Sequence, residues 1–401
     1  MRQSALILML VLALPARARW TPVTRPSTHG LSSVCALSPS AVWAVGDGGQ
    51  AFFTEDSGAS WSQQVTGIAD DLLSVSFATP RAGWVSGVGG SAAGTQDGGG
   101  FWARQVVAVD DYGLGAPDSV APIAAASADT AWAVARWSDV TAVCRTTDAG
   151  RNWVSVRYSN HSYFAPNTVY TLAAVSSQQV WLLASRIDTA GNFGPVLLRT
   201  ENAGTDWEIV PLPATQLNQP TSPHWEAALA PVSATETWAY ARDAVRGGSA
   251  LFHVTRSATG AWSAASWDVN AGIRSMRFAA GGQGILVGDA TSQTADGFAT
   301  VRRTANPGGL SLCASFPSAT LGFGVAADGS ACQWMPDAPG DADGSGQVDL
   351  LDAVAALRVV RSGGQTDAIT LGILDLAPPG GNGQVTEADV AAILKTAGGT
   401  G

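Results

Sequence analysis

The stretch VWAVGDGGQAFFTEDSGASW, residues 42–61, holds an apolar strand, a glycine-rich hairpin, a second apolar strand and a tight acidic turn ending in tryptophan. It recurs along the chain. GWVSGVGGSAAGTQDGGGFW (83–102), AWAVARWSDVTAVCRTTDAGRNW (131–153) and VWLLASRIDTAGNFGPVLLRTENAGTDW (180–207) are clear copies. TWAYARDAVRGGSALFHVTRSATGAW (237–262) and GILVGDATSQTADGFATVRRTANPGG (284–309) are worn, and LGFGVAADGSACQW (321–334) is cut short.

Laid in register, the copies share one anchor position: Trp43, Trp84, Trp132, Trp181, Trp238, Ile285 and Phe323. Their spacing of roughly 40–55 residues is that of a four-stranded propeller blade, so the expected fold is an all-β, seven-bladed propeller over residues 19–334. The 46 glycines and 15 tryptophans of this 401-residue chain fit many short strands joined by turns. The truncated last unit lacks an outermost strand, and Trp20-Thr21-Pro22-Val23 reads as the orphan strand that completes it and closes the ring.

The acidic turn carries Ser/Thr-x-Asp-x-Gly-x-x-Trp, as Thr54/Asp56/Gly58/Trp61, Thr95/Asp97/Gly99/Trp102 and Thr146/Asp148/Gly150/Trp153. Thr200/Asn202/Gly204/Trp207 keeps it with an amide, and Thr255/Ser257/Trp262 and Thr304/Asn306/Gly308 are fading copies. The need is local: the side-chain oxygen accepts backbone N–H groups, glycine takes the positive-φ position and tryptophan packs between blades. Asp56, Asp97, Asp148 and Asn202 are therefore read as structural, since catalysis would not use one residue repeatedly around a ring. Residues 20–334 resemble the Asp-box (BNR) propellers, with wording nearest the photosystem II stability/assembly factor-like type. Sialidases and xyloglucan-type glycosidases share the repeat, so the resemblance implies a fold and leaves the activity open.

Past Trp334, residues 335–340 read as a linker, and 341–401 as a small α-helical module. DADGSGQVDLLD (341–352) spaces Asp341, Asp343, Ser345, Asp349 and Asp352, with the carbonyl of Gln347, as a Ca2+ loop, and Gly346 stands at its sharp turn. The helix that follows places Leu350, Val354 and Leu357 on one stripe. GNGQVTEADVAAIL (381–394) is a second, partial copy in which Asn382, Gln384, Thr386 and Asp389 fall at ligand positions and Asp375 supplies a missing carboxylate. Two loops, each followed by one helix, resemble a type I dockerin. That resemblance implies a calcium-folded plug docking onto a cohesin-like or cell-surface protein.

Net charge is −10, and eight acidic against three basic residues place −5 of it after Gly340. An acidic chain without clustered cations excludes sequence-independent nucleic-acid binding. Arg2, the apolar run Ala5–Leu14 and Ala16-Arg17-Ala18 read as a cleavable signal peptide over 1–18, too short to span a bilayer, which implies a secreted or periplasmic protein. Cys35 and Cys313 occupy matching repeat positions, open to a bridge between adjacent units or to free buried thiols; a Cys144–Cys332 pair is harder to place.

A glycosidase would need converging carboxylates, and a sialidase a cluster of arginines as well. Glu226 and Glu236 offer the former by default, and Arg136, Arg186, Arg242 and Arg246 follow the anchor strands. His29, His161, His224 and His253 lack metal spacing, and there is no serine elbow, phosphate loop or dinucleotide fingerprint. Long inserts at 104–122, 157–170 and 210–225 carry Tyr158, Tyr163, Phe164 and Trp225, which suit stacking on sugar rings or packing of their own loops. The reading is a secreted, calcium-binding interaction protein whose propeller presents a face to a glycan or a protein, with enzymatic activity left open. A glycoside hydrolase acting through the central face is the rival, and a photosystem II assembly factor-like protein the third reading.

Overall fold

The structure is a computed structural model, and it describes residues 18–107, 115–138, 140–156, 168–187, 192–218, 225–269, 272–294, 296–299, 301–310, 312–317, 321–336, 350–361 and 384–397. These residues fall into two compact units, a propeller over Trp20–Gln333 and a second unit that contains two helices.

Seven four-stranded antiparallel sheets make up the propeller. Blades 1 to 6 use strands in chain order, from Leu31–Ser38 at the inner edge of blade 1 to Arg302–Ala305 at the outer edge of blade 6. Blade 7 differs. Its inner three strands are Leu312–Ser315, Gly322–Ala326 and Ala331–Pro336, and its outermost strand is Ala18–Pro22 from the chain's start. The first and last strands thus share one sheet, which leaves the ring no open seam. The last strand runs on to Pro336, two residues into the segment expected to be linker.

The anchor strands are apolar on both faces because each blade is sandwiched between two others. Ala41–Gly46 is buried at every position, as is Gly83–Gly87. The apolar clusters straddle successive blades: Trp43 of blade 1 stacks on Phe77 of blade 2 with centroids 3.7 Å apart. Trp238 of blade 5 stacks on Phe278 of blade 6 at 4.0 Å. The tryptophans that end the acidic turns meet the preceding blade's anchor edge-on, Trp207 against Trp132 and Trp262 against Trp181.

Around the channel, the inner strands expose backbone N–H groups that no fifth strand can satisfy, and short side chains of the neighbouring blade take that part. Ser74 and Ser76 of blade 2 accept from Ile123 and Ala125 of blade 3 at 3.1 and 3.0 Å. Ser315 of blade 7 accepts from Ala36 of blade 1 at 3.0 Å. Cys35 is part of this belt, its thiol facing the Phe77 N–H at 3.3 Å, and Cys313 receives the Ser275 hydroxyl at 3.6 Å. All four cysteines are free. Matching positions cannot bridge here, because each thiol aims at its neighbour's backbone in the same rotational sense. Burial pushes the Cys35 thiol up to about 11.

In the second unit, α1 (Leu350–Arg361) and α2 (Glu387–Ala397) pack through Ala353, Ala356, Val385, Val390 and Ile393. The buried stripe of α1 is displaced from the expected Leu350–Val354–Leu357 line, and Val354 is 42% exposed. Small residues at 353 and 356 let α2 approach closely, which turns Val354 outward. Among the described residues, no helix is long and apolar enough to cross a membrane.

Candidate functional site

The acidic turns show what the repeated carboxylates hold. The Thr54 hydroxyl donates to Asp56 Oδ1 at 2.7 Å and accepts the Gly58 N–H at 3.0 Å, while Asp56 Oδ1 accepts the Ser60 N–H at 2.8 Å. Thr95/Asp97 and Thr146/Asp148 repeat the pattern, with hydroxyl–carboxylate distances of 2.8 and 2.9 Å. Asn202 accepts from Thr200 at 3.0 Å and from the Asp206 N–H at 2.9 Å. Hydrogen bonds from Ser60 hold Asp56 down to about 2, and the N–H groups of Phe101 and Asn152 lower Asp97 and Asp148.

The residue between aspartate and glycine is also left-handed, with φ of 60° at Ser57, 63° at Ala149 and 59° at Ala203. Two successive left-handed residues turn a carbonyl toward the preceding blade, which donates to it. Gln64 Nε2 reaches Gly98 O at 3.0 Å, Gln105 Nε2 reaches Ala149 O at 3.0 Å, and an Arg145 guanidinium nitrogen reaches Ala203 O at 2.7 Å. Sequence reading missed this coupling, though glutamine three residues after Trp61 and again after Trp102 was its signal.

The two worn copies depart from their expected register. In blade 5 Thr255 pairs with Glu236, one residue out of line, and only the Ala261 N–H to Ser257 contact (3.1 Å) survives. In blade 6 the turn is Thr294/Asp296, not Thr304/Asn306/Gly308: the hydroxyl lies 3.1 Å from Asp296 Oδ1 and accepts the Phe298 N–H at 3.0 Å. Asn306 is instead a buried clamp, donating to Gly288 O at 2.7 Å and Leu310 O at 2.8 Å.

One position distinguishes the blades. The residue paired with each anchor across the second and third strands is Phe53, Gly94, Arg145, Arg199, His253 and Gln293 in blades 1 to 6. A planar group covers the anchor tryptophan in four of them. Phe53 lies 4.9 Å from Trp43, His253 stacks at 4.1 Å on Trp238, and Arg145 and Arg199 lie 5.5 Å over Trp132 and Trp181. Blade 2 has a glycine there, and the Gln105 amide fills the place of its side chain, so that Trp84 is as fully buried as the other anchors. The outer strand of that blade is only Ala103–Arg104, and two grooves share its Arg104. One, of about 610 Å³, has Gly94, Asp97, Phe101, Arg104, Gln105 and Arg151 in its lining. The other, of about 690 Å³, lies against Gly90, Arg104, Val106, Val107, Ala116 and Pro117. Phe101 and Val106 are 69% and 79% exposed.

The residues weighed for catalysis do not converge. Glu226 pairs with Arg242 at 3.3 Å and Glu236 with His253 at 2.9 Å. Glu226 lies opposite Arg242, six residues along the strand from Glu236. At ~3.3 Å per residue that is about 20 Å, against the roughly 5–10 Å between a glycosidase's two carboxylates. Arg136 spends its guanidinium on the carbonyls of Ala121, Val169 and Tyr170, and Arg246 pairs with Asp243 at 3.0 Å. Arg186 is also engaged within the protein. Trp225, on the inner strand of blade 5, is buried against Tyr170 on the inner strand of blade 4 at 5.2 Å, so it packs between blades and does not present a face to sugars. Tyr158, Tyr163, Phe164, His161 and His224 lie outside the described residues.

Of the expected metal positions, Asp341, Asp343, Ser345, Gln347, Asp349, Asp375 and Asn382 lie outside the described residues, as does the Asp352 side chain. Thr386 and Asp389 sit at the start of α2. Both the N–H and the hydroxyl of Thr386 donate to Asp389 Oδ2 at 2.7 Å, and the Asp389 N–H returns to the Thr386 carbonyl at 3.1 Å, which closes the first turn of the helix. Gln384 is exposed, and Asp389 is fully buried.

Ring closure, acidic hairpins and inter-blade tryptophans define a seven-bladed propeller of the BNR class. The chain belongs to the family described as photosynthesis system II assembly factor YCF48, whose family model matches residues 9–113 and 59–291. Among solved structures, YCF48 bound to a D1 peptide is 20% identical, with a TM-score of 0.56 over 82% of this chain and 99% of that one. YCF48 from Cyanidioschyzon merolae is also 20% identical, with a TM-score of 0.57 over 79% of this chain and 99% of that one. The Niastella koreensis GH74 enzyme, 12% identical, aligns over 78% of this chain and 53% of its own length with a TM-score of 0.51. No curated protein matches the chain significantly.

Proposed function

We propose that this chain is an exported, non-enzymatic assembly-factor propeller that holds an extended peptide segment of a client protein. The observation that carries the reading is the family match across residues 9–113 and 59–291, supported by a relative solved with a peptide bound. The dispersal of Glu226 and Glu236 weighs against the hydrolase reading. Titrating a fluorescein-labelled D1 peptide into the full chain tests it. Saturable binding that a scrambled peptide does not reproduce is expected, and equal binding of the two peptides would remove the reading.

The tail is part of the same proposal: residues 341–352 form a Ca2+ loop, and the partial loop at 375–389 packs as its partner. The module then docks onto a cohesin-like or cell-surface protein outside the cytoplasm, after export directed by residues 1–18. Calorimetric titration of Ca2+ into the full chain is expected to show one saturable site, lost in both Asp341→Ala and Asp352→Ala. Heat that survives both substitutions would place the metal elsewhere.

A further inference from the structure

The strand that closes the ring begins where the expected leader ends. Ala18–Pro22 is the outermost strand of blade 7, and residues 1–18 read as a cleavable signal peptide. The Ala18–Arg19 bond therefore belongs both to the cleavage site and to the closing strand. The residues that follow it are held fast. Trp20 is only 6% exposed, and its indole N–H donates to Thr291 Oγ1 at 2.6 Å in blade 6. The Val23 N–H donates to Ala331 O at 3.1 Å, and Thr24 is tied to Gly58 O and Ala59 O of blade 1.

A peptidase draws the residues beside a bond, extended, into its own cleft, so a strand already paired in a sheet must leave that sheet first. Here leaving means pulling Trp20 out of its seam. We propose that the leader is removed before blade 7 closes, and that closure withdraws the Ala18–Arg19 bond from processing. Chain order provides the interval. Ala18–Pro22 is the first strand of the propeller to be made, and its partner Ala331–Pro336 is the last. The cut adds water across the amide, which leaves a carboxylate on Ala18 and a new α-amine on Arg19. It takes one residue from a strand of five and spares Trp20, so the mature chain closes on the same anchor. A chain that closed first would keep its leader, which places export ahead of ring closure.

The inference rests on the export reading above and adds the order of its steps. Leader peptidase in detergent, with mass spectrometry for the new Arg19 terminus, tests it on the folded full chain beside a synthetic peptide of residues 9–26. The peptide is expected to be cut at Ala18–Arg19 roughly a hundredfold faster or more, because the folded chain is cut only in the fraction of time its strand is open. Trp20→Ala in the full chain should raise its rate roughly tenfold or more, while the same change in the peptide alters the rate less than about threefold. Trp20→Phe keeps a buried ring and should stay within about tenfold of the native chain, so the comparison holds even if Trp20→Ala folds poorly.

A folded chain cut as fast as the peptide, or a Trp20→Ala chain as resistant as the native one, would overturn the ordering and leave export standing. A peptide cut only at another bond would overturn the ordering as well. One that is not cut at all would take the export reading down with it.

Discussion

Trp20→Ala is expected to destabilise the propeller by about 3–5 kcal/mol, the range for removing a buried tryptophan. Trp20 belongs to the strand that completes blade 7 and is only 6% exposed. Its ring lies 3.0 Å from where a Gly324 Cβ would stand and 6.0 Å from the ring of Phe316. The indole N–H donates to Thr291 Oγ1 at 2.6 Å, and that hydroxyl donates to Asn306 Oδ1 at 2.8 Å. One side chain thereby ties blade 7 to the outer half of blade 6. Just downstream, the Thr24 N–H donates to Gly58 O at 3.1 Å and its hydroxyl to Ala59 O at 2.7 Å, which laces the same segment to blade 1.

Loss of the ring therefore weakens two seams, and urea unfolding of the full chain should show a lower midpoint. Trp20→Phe keeps most of the buried surface but leaves Thr291 without its donor, so it should recover all but about 1 kcal/mol. A change below 1 kcal/mol in Trp20→Ala would mean that the ring closes without its N-terminal strand.

Blade number and closure were legible because they depend on periodicity and on one missing strand, both written in the order of residues. The anchors Trp43 to Phe323 count the blades whatever the turns do. What escaped reading depends on direction or on absence. Cys35 and Cys313 match in the repeat, but matching positions on a ring point the same way and never meet. In blade 6 the motif Thr294-Ala295-Asp296-Gly297-Phe298 carries its glycine one place early, and Phe298 itself takes a φ of 78°. A search keyed on glycine after one spacer passes over it and settles on Thr304/Asn306/Gly308.

The place of Gln105 over Trp84 is harder still, since its signal is a side chain that is not there. Aligning the residue before Thr54, Thr95, Thr146, Thr200 and Thr294 gives Phe53, Gly94, Arg145, Arg199 and Gln293, and only the glycine stands out. That glycine acquires meaning once its partner across the strands is known to be Trp84. The arginines failed in the opposite sense. Arg136 and Arg242 read as a patch, but burial between blades turns the first onto backbone carbonyls and places the second beside Glu226.

The glycine that ends each well-kept W-x-x-G strand leads to the second large effect: Gly46→Ala should cost about 3 kcal/mol or more, the upper range for forcing an atom into packed space. The inner strand of blade 1 bulges opposite this residue, pairing Leu31 with Gly46 and then Ser33 with Val45. The bulge drives the Gly30 carbonyl inward, so that a Cβ on Gly46 would lie 2.0 Å from Gly30 O and 2.8 Å from Leu31 Cα. Both obstacles are backbone, and no side chain can swing aside to relieve them. Nor can the carbonyl retreat. It accepts the Asp47 N–H at 3.0 Å while the Gly30 N–H donates to Asp47 Oδ2 at 3.0 Å, a clamp that moving either strand would break. Blades 2 and 6 repeat the arrangement, with Gly87 against Asp71 O at 2.0 Å and Gly288 against Gly272 O at 1.9 Å. Gly48 in the same hairpin is the control, because its φ is +65° and a Cβ there meets nothing within 4 Å. Gly48→Ala should cost only about 1–2 kcal/mol, from the left-handed backbone alone. Equal midpoints for the two variants in urea unfolding would mean that conformation, not the approach of Gly30 O, is why glycine stands at position 46.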